Sequence, residues 1–335
     1  MVAVNASDLH ATAEAMVAGG KGILAADEST STIARRFAEI GVESTEENRR
    51  GYREALFGAP DLASYISGVI LYDETIRQRM SDGTPMPQYL VSRGMIPGIK
   101  VDKGLVPFRP DSREQITEGL DGLGTRFVEY RALGAGFAKW RALFHIAPGL
   151  PTAENIHDHA WLLARYARIC QDNGLVPIVE PEVLMDGDHG MARDGEVTRA
   201  VLHAVFGELH AHDIDLRGMV LKPNMVTPGS RVFDSATPAD IARETVAVLR
   251  ECVPPDVPGI AFLSGGQTEE QATANLDEIA KLGPHPWHIT FSFGRALQQS
   301  ALRAWAGQAG NQDQARQALL ERASQNSRVL LAASR

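Results

Sequence analysis

Lysine is scarce in this sequence. Of 33 basic residues only six are lysines, Lys21, Lys100, Lys103, Lys139, Lys222 and Lys281, so arginine supplies nearly all the routine positive charge. Arginine keeps its proton at any accessible pH and cannot act as a nucleophilic amine, whereas a buried lysine can. Cysteine is scarcer still. Cys170 and Cys252 alone exclude a small disulfide scaffold and fit a reducing cytoplasm. No run of roughly 18 apolar residues is present, as a membrane span would require. The N-terminal segment carries Asp8, His10 and Glu14 where a secretory signal needs an uninterrupted apolar stretch; it reads as a short surface helix over about residues 7–19. Basic charge in excess is missing too. A formal net charge of -9 argues against a nucleic-acid partner, which is gripped by a stripe of Lys and Arg. A small anionic substrate needs only a local positive pocket.

What the chain does have is a repeated alternation. Short apolar runs recur along its 335 residues: GILAAD from Gly22, SGVILY from Ser67, PGIKVD from Pro97, GFAKWRA from Gly136, LVPIVE from Leu175, GMVLKP from Gly218, GIAFLS from Gly259 and HITFSF from His288. They lie mostly about 30 to 45 residues apart, room for a strand, a helix and two loops. Near-continuous apolar runs suit parallel strands covered on both sides. Between them, Ser44–Glu47 and Thr268–Gln271 read as capping boxes, Thr237-Pro238 as a helix start, and Thr152 through Asp172 as an amphipathic helix stopping at Gly174. Further helical stretches run from Arg295 to about Trp305 and over about residues 311–335. No linker divides the chain, so one domain over residues 1–335 is expected. Eight βα units point to a closed barrel, although a doubly wound sheet shows the same alternation.

Where the strands turn polar favours the barrel. Residues two apart on a strand share a side, which pairs Lys100 with Asp102, Lys139 with Arg141, and Glu180 with Glu182 if Pro181 leaves the strand extended. These residues, with Asp27, Lys222 and Ser264, fall at C-terminal strand ends, which a barrel gathers at one rim. The inward set balances four cations against four carboxylates, as buried charges require. A lysine nucleophile must lose its proton, and an unperturbed amine is neutral in only roughly one molecule in 2,500 at pH 7. Burial and neighbouring cations raise that fraction. Spacing alone leaves Lys139 and Lys222 as equal candidates. Ser264-Gly-Gly-Gln267 and Ser292-Phe-Gly-Arg295 follow the last two strands, where barrels commonly hold a phosphate on backbone N–H groups and a helix N-terminus. Ser29, Arg35 and Arg36 form a second candidate anion patch.

The segments GKGILAADEST, TEENRR, GIKVDKG, GLDGL, FAKWR, ARYA, PIVEPE, DGDH, LKPNMVTPG, FLSGGQ and FSFGRALQ together resemble class I fructose-bisphosphate aldolases, the metal-free Schiff-base type. The resemblance implies a (β/α)8 TIM barrel, a homotetramer, no cofactor and no metal. It implies reversible cleavage of fructose 1,6-bisphosphate to dihydroxyacetone phosphate and glyceraldehyde 3-phosphate. By the same likeness Lys222 is the imine-forming lysine, Glu180 the principal acid/base, and Lys139 and Asp27 the pair managing protons at the reacting carbons. Lys100, Arg141 and Glu182 match supporting residues, and Ser29, Arg36, Ser264, Gly265, Gly266, Ser292, Gly294 and Arg295 match the two phosphate sites. The chain departs from many relatives at Thr32, Arg35 and Phe293. It also has no tyrosine beyond Tyr166, where relatives carry a tail tyrosine that assists proton exchange.

Rival readings are weaker. His157-Asp-His159 and Asp186-Gly-Asp188-His189 lack the helical spacing and third partner of a catalytic metal site. GLDGLG from Gly119 lacks the dinucleotide spacing and follows no strand. A noncatalytic phosphosugar sensor or scaffold would have little use for Asp27, Lys139, Glu180 and Lys222 together.

Overall fold

A computed structural model describes residues 5–333. In chain order its strands are β1 (Gly22–Ala26), β2 (Ile66–Leu71), β3 (Ile96–Lys100), β4 (Leu105–Pro107), β5 (Gln115–Thr117), β6 (Phe137–Phe144), β7 (Val176–Val183), β8 (Val220–Leu221), β9 (Gly259–Phe262) and β10 (His288–Phe293). Eight of them close into a parallel barrel in the order β1-β2-β3-β6-β7-β8-β9-β10, and β10 pairs back to β1. This is a (β/α)8 barrel, and the open-sheet alternative falls with it. The antiparallel pair β4 and β5 is an addition that the apolar runs did not reveal, because each strand has three residues only.

Inside the barrel the inward side chains change character along each strand. Ile23 and Ala25 lead to Asp27, Phe137 to Lys139 and Arg141, Val176 and Ile178 to Glu180, and Val220 to Lys222; the apolar members form one interior cluster. Period-two alternation therefore carries each strand from a hydrophobic floor to a charged rim. Pro181 does not interrupt β7, since it stays level with Ala142 of β6 and Glu182 with Leu143. Gly98 is needed for close approach: a Cβ there would lie 2.1 Å from the Phe137 ring, which fills the barrel beside it.

The N-terminal helix spans Ala6–Val17 and is more than a surface element. Leu9, Ala13, Met16 and Val17 form one helical stripe, and all four are buried in the same cluster as the inward strand residues. The helix plugs the floor, which its acidic outer face conceals in the sequence. A second, larger cluster lies between the strands and the surrounding helices.

Local signals explain most helix boundaries. Thr152 caps Ala153–Asp172 by accepting from Asn155 N, and the chain turns at Gly174 with φ +73. Thr268 and Gln271 form the expected capping box, and Thr237 forms another with Asp240 ahead of Pro238–Cys252. The Ser44–Glu47 expectation needs correcting. Thr45 is the cap of Glu46–Phe57 and accepts from Asn48 N, while the Ser44 carbonyl and hydroxyl are engaged by Arg49. The last helices run Arg295–Trp305 and Gln312–Ala333. No described helix is long and apolar enough to cross a membrane.

Candidate active site

The C-terminal rim of the barrel opens into a cavity of about 580 Å³. Asp27, Lys139, Glu180 and Lys222 line it, together with Ser29, Arg36, Lys100, Arg141, Glu182, Ser264, Gly265, Gly266, Ser292, Gly294 and Arg295. Residues spread over the whole chain thus meet at one place: Lys139, Arg141, Glu180 and Glu182 lie within β6 and β7, Asp27, Lys222 and Ser264 just beyond their strands, and Arg36 on the helix Thr30–Ala38 that follows β1.

Within the cavity, the charges sort into small networks. Glu180 Oε1 is 3.1 Å from Lys222 Nζ, and Glu180 Oε2 is 3.1 Å from Lys139 Nζ. Lys139 also reaches Asp27 Oδ2 at 2.8 Å. Lys139 and Glu180 are each 4% exposed and Lys222 3%. Beside this chain, Arg141 binds Glu182 through its Nε, and Lys100 pairs with Asp102.

Electrostatics follow from the pairing. Burial favours the neutral Asp27 acid, but the Lys139 and Lys222 cations outweigh it and hold the carboxyl well below its ordinary range. Glu180 is likewise pushed up by burial and brought below its usual value by Lys139, Lys222 and Arg141. Burial would lower the Lys139 amine, yet Asp27 and Glu180 hold it well above the ordinary lysine range. Lys139 is therefore a firmly charged ammonium at neutral pH.

Two glycine-containing loops face the same space. Ser264 is buried at the end of the β9 segment, and Gly265 takes φ +52, a left-handed turn that exposes backbone N–H groups. Gly266 packs so near Met185 that a Cβ would lie 2.8 Å from its sulfur. The buried Ser292 hydroxyl has no protein partner among the described residues. Helix Arg295–Trp305 starts beside it with Gly294 at its cap and no side chain capping the first turn, which leaves N–H donors and the positive helix end for an anion. Across the cavity, Ser29 caps helix Thr30–Ala38, and Arg36 is tied to the buried Glu28.

Some important groups escaped the sequence reading. Glu28 binds both Arg36 and Arg53 and accepts from Gln298 at 3.1 Å, so it fixes the arginine side of the cavity. Asn224 accepts from Val183 N at 3.0 Å and donates to Thr198 at 3.3 Å, tying the segment after Lys222 to the end of β7. Asn224 is a neutral amide inside LKPNM and gave no charge signal. Of the rejected histidine sets, His159 is buried against the Gln115 carbonyl and His157 is exposed beside Asp158, whereas Asp186 lines the cavity and His189 lies 3.5 Å from Asp194.

The fold and this cavity can now be set beside known proteins. The sequence model of the fructose-bisphosphate aldolase class-I family matches residues 8–333. The chain belongs to that family. A probable fructose-bisphosphate aldolase class 1 of Xanthomonas campestris pv. campestris is 53% identical, over 95% of this chain and 96% of its own. A fructose-bisphosphate aldolase of Plasmodium falciparum is 52% identical, over 96% of this chain and 88% of its own. A solved structure of the aldolase of that parasite, in complex with TRAP and a small-molecule inhibitor, superposes with a TM-score of 0.95 at 50% identity. It covers 98% of this chain and 97% of that one. The chain is thus a class I fructose-bisphosphate aldolase, a carbon–carbon lyase of glycolysis whose class works through a Schiff base.

Proposed function

We propose that Lys222 supplies the Schiff-base amine and that Glu180 carries its protons. One observation bears most of the weight: Glu180 lies between two buried lysines, and only one of them is fixed by a second carboxylate. Lys139 faces Asp27 as well as Glu180, whereas Lys222 faces Glu180 at 3.1 Å. An ammonium locked by two carboxylates is a poor nucleophile, which leaves Lys222 as the candidate amine.

The chemistry follows. Lys222 passes a proton to Glu180 and its nitrogen adds to the C2 carbonyl of fructose 1,6-bisphosphate. The carbinolamine takes a proton and loses water, which leaves a protonated imine. Glu180 then takes the C4 hydroxyl proton, the C3–C4 bond breaks and its electrons pass into the imine. Glyceraldehyde 3-phosphate leaves, and protonation at C3 followed by hydrolysis frees dihydroxyacetone phosphate and Lys222. The Lys139 ammonium, held by Asp27, steadies negative charge developing at the reacting oxygens.

Ser264, Gly265, Gly266, Ser292, Gly294 and Arg295 bind one phosphate, and Ser29 and Arg36 the other. Lys100, Arg141 and Glu182 line the stretch between them. Anchoring both ends of a flexible sugar sets C2 against Lys222, which is the proximity contribution to rate. Lys222→Arg tests the assignment, because it keeps the charge and removes a deprotonatable amine. Cleavage should vanish while bisphosphate binding persists; retained cleavage would move the imine to another lysine.

The reading extends to the molecule's setting. By resemblance to the family, the chain is read as one domain that assembles as a homotetramer in the cytoplasm.

A further inference from the structure

A second constellation of reactive side chains lies outside the cavity, between two helices of the outer ring. His203 belongs to helix Met191–Ala211, and Glu251 and Cys252 are the last two residues of helix Pro238–Cys252. His203 Nε2 is 3.6 Å from Cys252 Sγ and 3.8 Å from Glu251 Oε1. One ligand atom from each of the three lies within 4.8 Å of the others. We propose that His203, Glu251 and Cys252 form a binding site for one divalent transition-metal ion of the zinc class.

The distances are the first reason. Bonds of about 2.3 Å to sulfur and about 2.0 Å to nitrogen and oxygen give tetrahedral edges of about 3.5 Å for S–N and about 3.3 Å for N–O. The observed separations of 3.6 and 3.8 Å come close to these two edges, and the Cys252 sulfur and the Glu251 carboxylate lie within 4.8 Å of each other, within reach of side-chain rotation onto an ion. The donor set is the second reason. Thiolate with imidazole selects zinc-like ions over magnesium or calcium, which take oxygen.

Outer support is already built. Arg199 donates through Nε to Glu251 Oε2 at 2.9 Å and through Nη2 to Glu244 Oε1 at 2.8 Å. It thereby orients the Glu251 carboxylate with Oε1 toward His203, as partners behind metal ligands do. The charges also cancel. The ion and Arg199 bring three positive charges, and the thiolate, Glu251 and Glu244 bring three negative. On binding, the Cys252 S–H bond breaks, a metal–sulfur bond forms and the proton passes to water. The exposed His203 and Glu251 side chains leave the fourth position open to a water molecule.

This site is remote from the Schiff-base cavity. Cys252 ends a helix that returns from the rim, and β9 begins shortly after it at Gly259, so the three ligands sit toward the opposite end of the barrel. A bound ion would clip two outer helices together without entering the catalytic chemistry.

Cobalt titration of the metal-stripped, full-length protein tests the site. One Co2+ per chain should give a thiolate-to-cobalt charge-transfer band and the strong visible bands of four-coordinate cobalt, and Zn2+ should displace both. Cys252→Ser should abolish the charge-transfer band. Because Cys252 is buried, the exposed His203→Ala provides a second variant, expected to weaken binding at least tenfold with the fold intact. Arg199→Ala should weaken it by about 10- to 100-fold. A featureless cobalt spectrum, a charge-transfer band surviving in Cys252→Ser, or unchanged affinity in His203→Ala would each overturn the proposal.

Discussion

The Glu180 carboxylate stands 3.1 Å from the Lys222 amine through Oε1, while Lys139 holds its other oxygen at the same distance. A proton leaving Lys222 has an acceptor within reach that is already oriented by a second cation. The arrangement also divides the lysines by role, since Lys139 is committed to two carboxylates and Lys222 to one.

Lys139→Met removes the cation between Asp27 and Glu180. Two buried carboxylates then share what remains, and charge developing at the reacting oxygens loses its ammonium. Steady-state cleavage assays should show kcat lowered on the order of 10²- to 10⁴-fold. A loss smaller than about tenfold would place Lys139 outside the proton chemistry.

Stability should fall away at acid pH for an identifiable reason. Burial raises the Asp27 and Glu180 carboxyls, but the lysine cations hold both below their unfolded values near 4. Their contribution is complete above the unfolded values and is lost as pH falls through the depressed folded ones. Lys139 has the opposite sign. Its raised folded value gives stabilisation that is complete below about pH 10.5 and lost only in strongly alkaline solution. Melting temperature measured from pH 7 to pH 3 should decline below about pH 4, with a shallower acid limb in Asp27→Asn. Identical acid limbs would contradict this.

Glu28→Ala leaves Arg53 buried without its carboxylate and frees Arg36. Breaking one side of a buried pair costs about 3–5 kcal/mol. Urea unfolding should register that loss, and a change under about 1 kcal/mol would show that the arginines find other partners.

Ser292→Ala probes the phosphate end. Its buried hydroxyl has no protein partner among the described residues, so the substitution strands none of them in the free enzyme. A hydrogen bond to a charged oxygen is worth about 1.5–3 kcal/mol, or roughly a 10- to 150-fold rise in KM for the bisphosphate. An unchanged KM would remove Ser292 from the phosphate site.

Much of the barrel was legible because parallel strands covered on both faces must be apolar, and the eight runs from Gly22 to His288 obey that demand. The rim was legible because Lys139, Arg141, Glu180 and Lys222 break the apolar runs at matching places. Spacing did not choose between Lys139 and Lys222, since that turns on which carboxylates lie opposite each amine, and only the resemblance around LKPNM favoured Lys222. Glu28 was hidden beside Asp27, its two arginines being brought in from Arg36 and Arg53. The Leu9, Ala13, Met16 and Val17 stripe was present in the sequence, but only the open floor of the barrel shows what it covers. The cluster of His203, Glu251 and Cys252 arises from two helices packing side by side and has no sequence motif.

Borohydride reduction with dihydroxyacetone phosphate, followed by peptide mapping, tests the central claim most directly. Reduction turns the imine into a stable secondary amine and marks the lysine that formed it. A single adduct on Lys222, absent in Lys222→Arg, is the predicted result; an adduct on Lys139, or none at all, would contradict it.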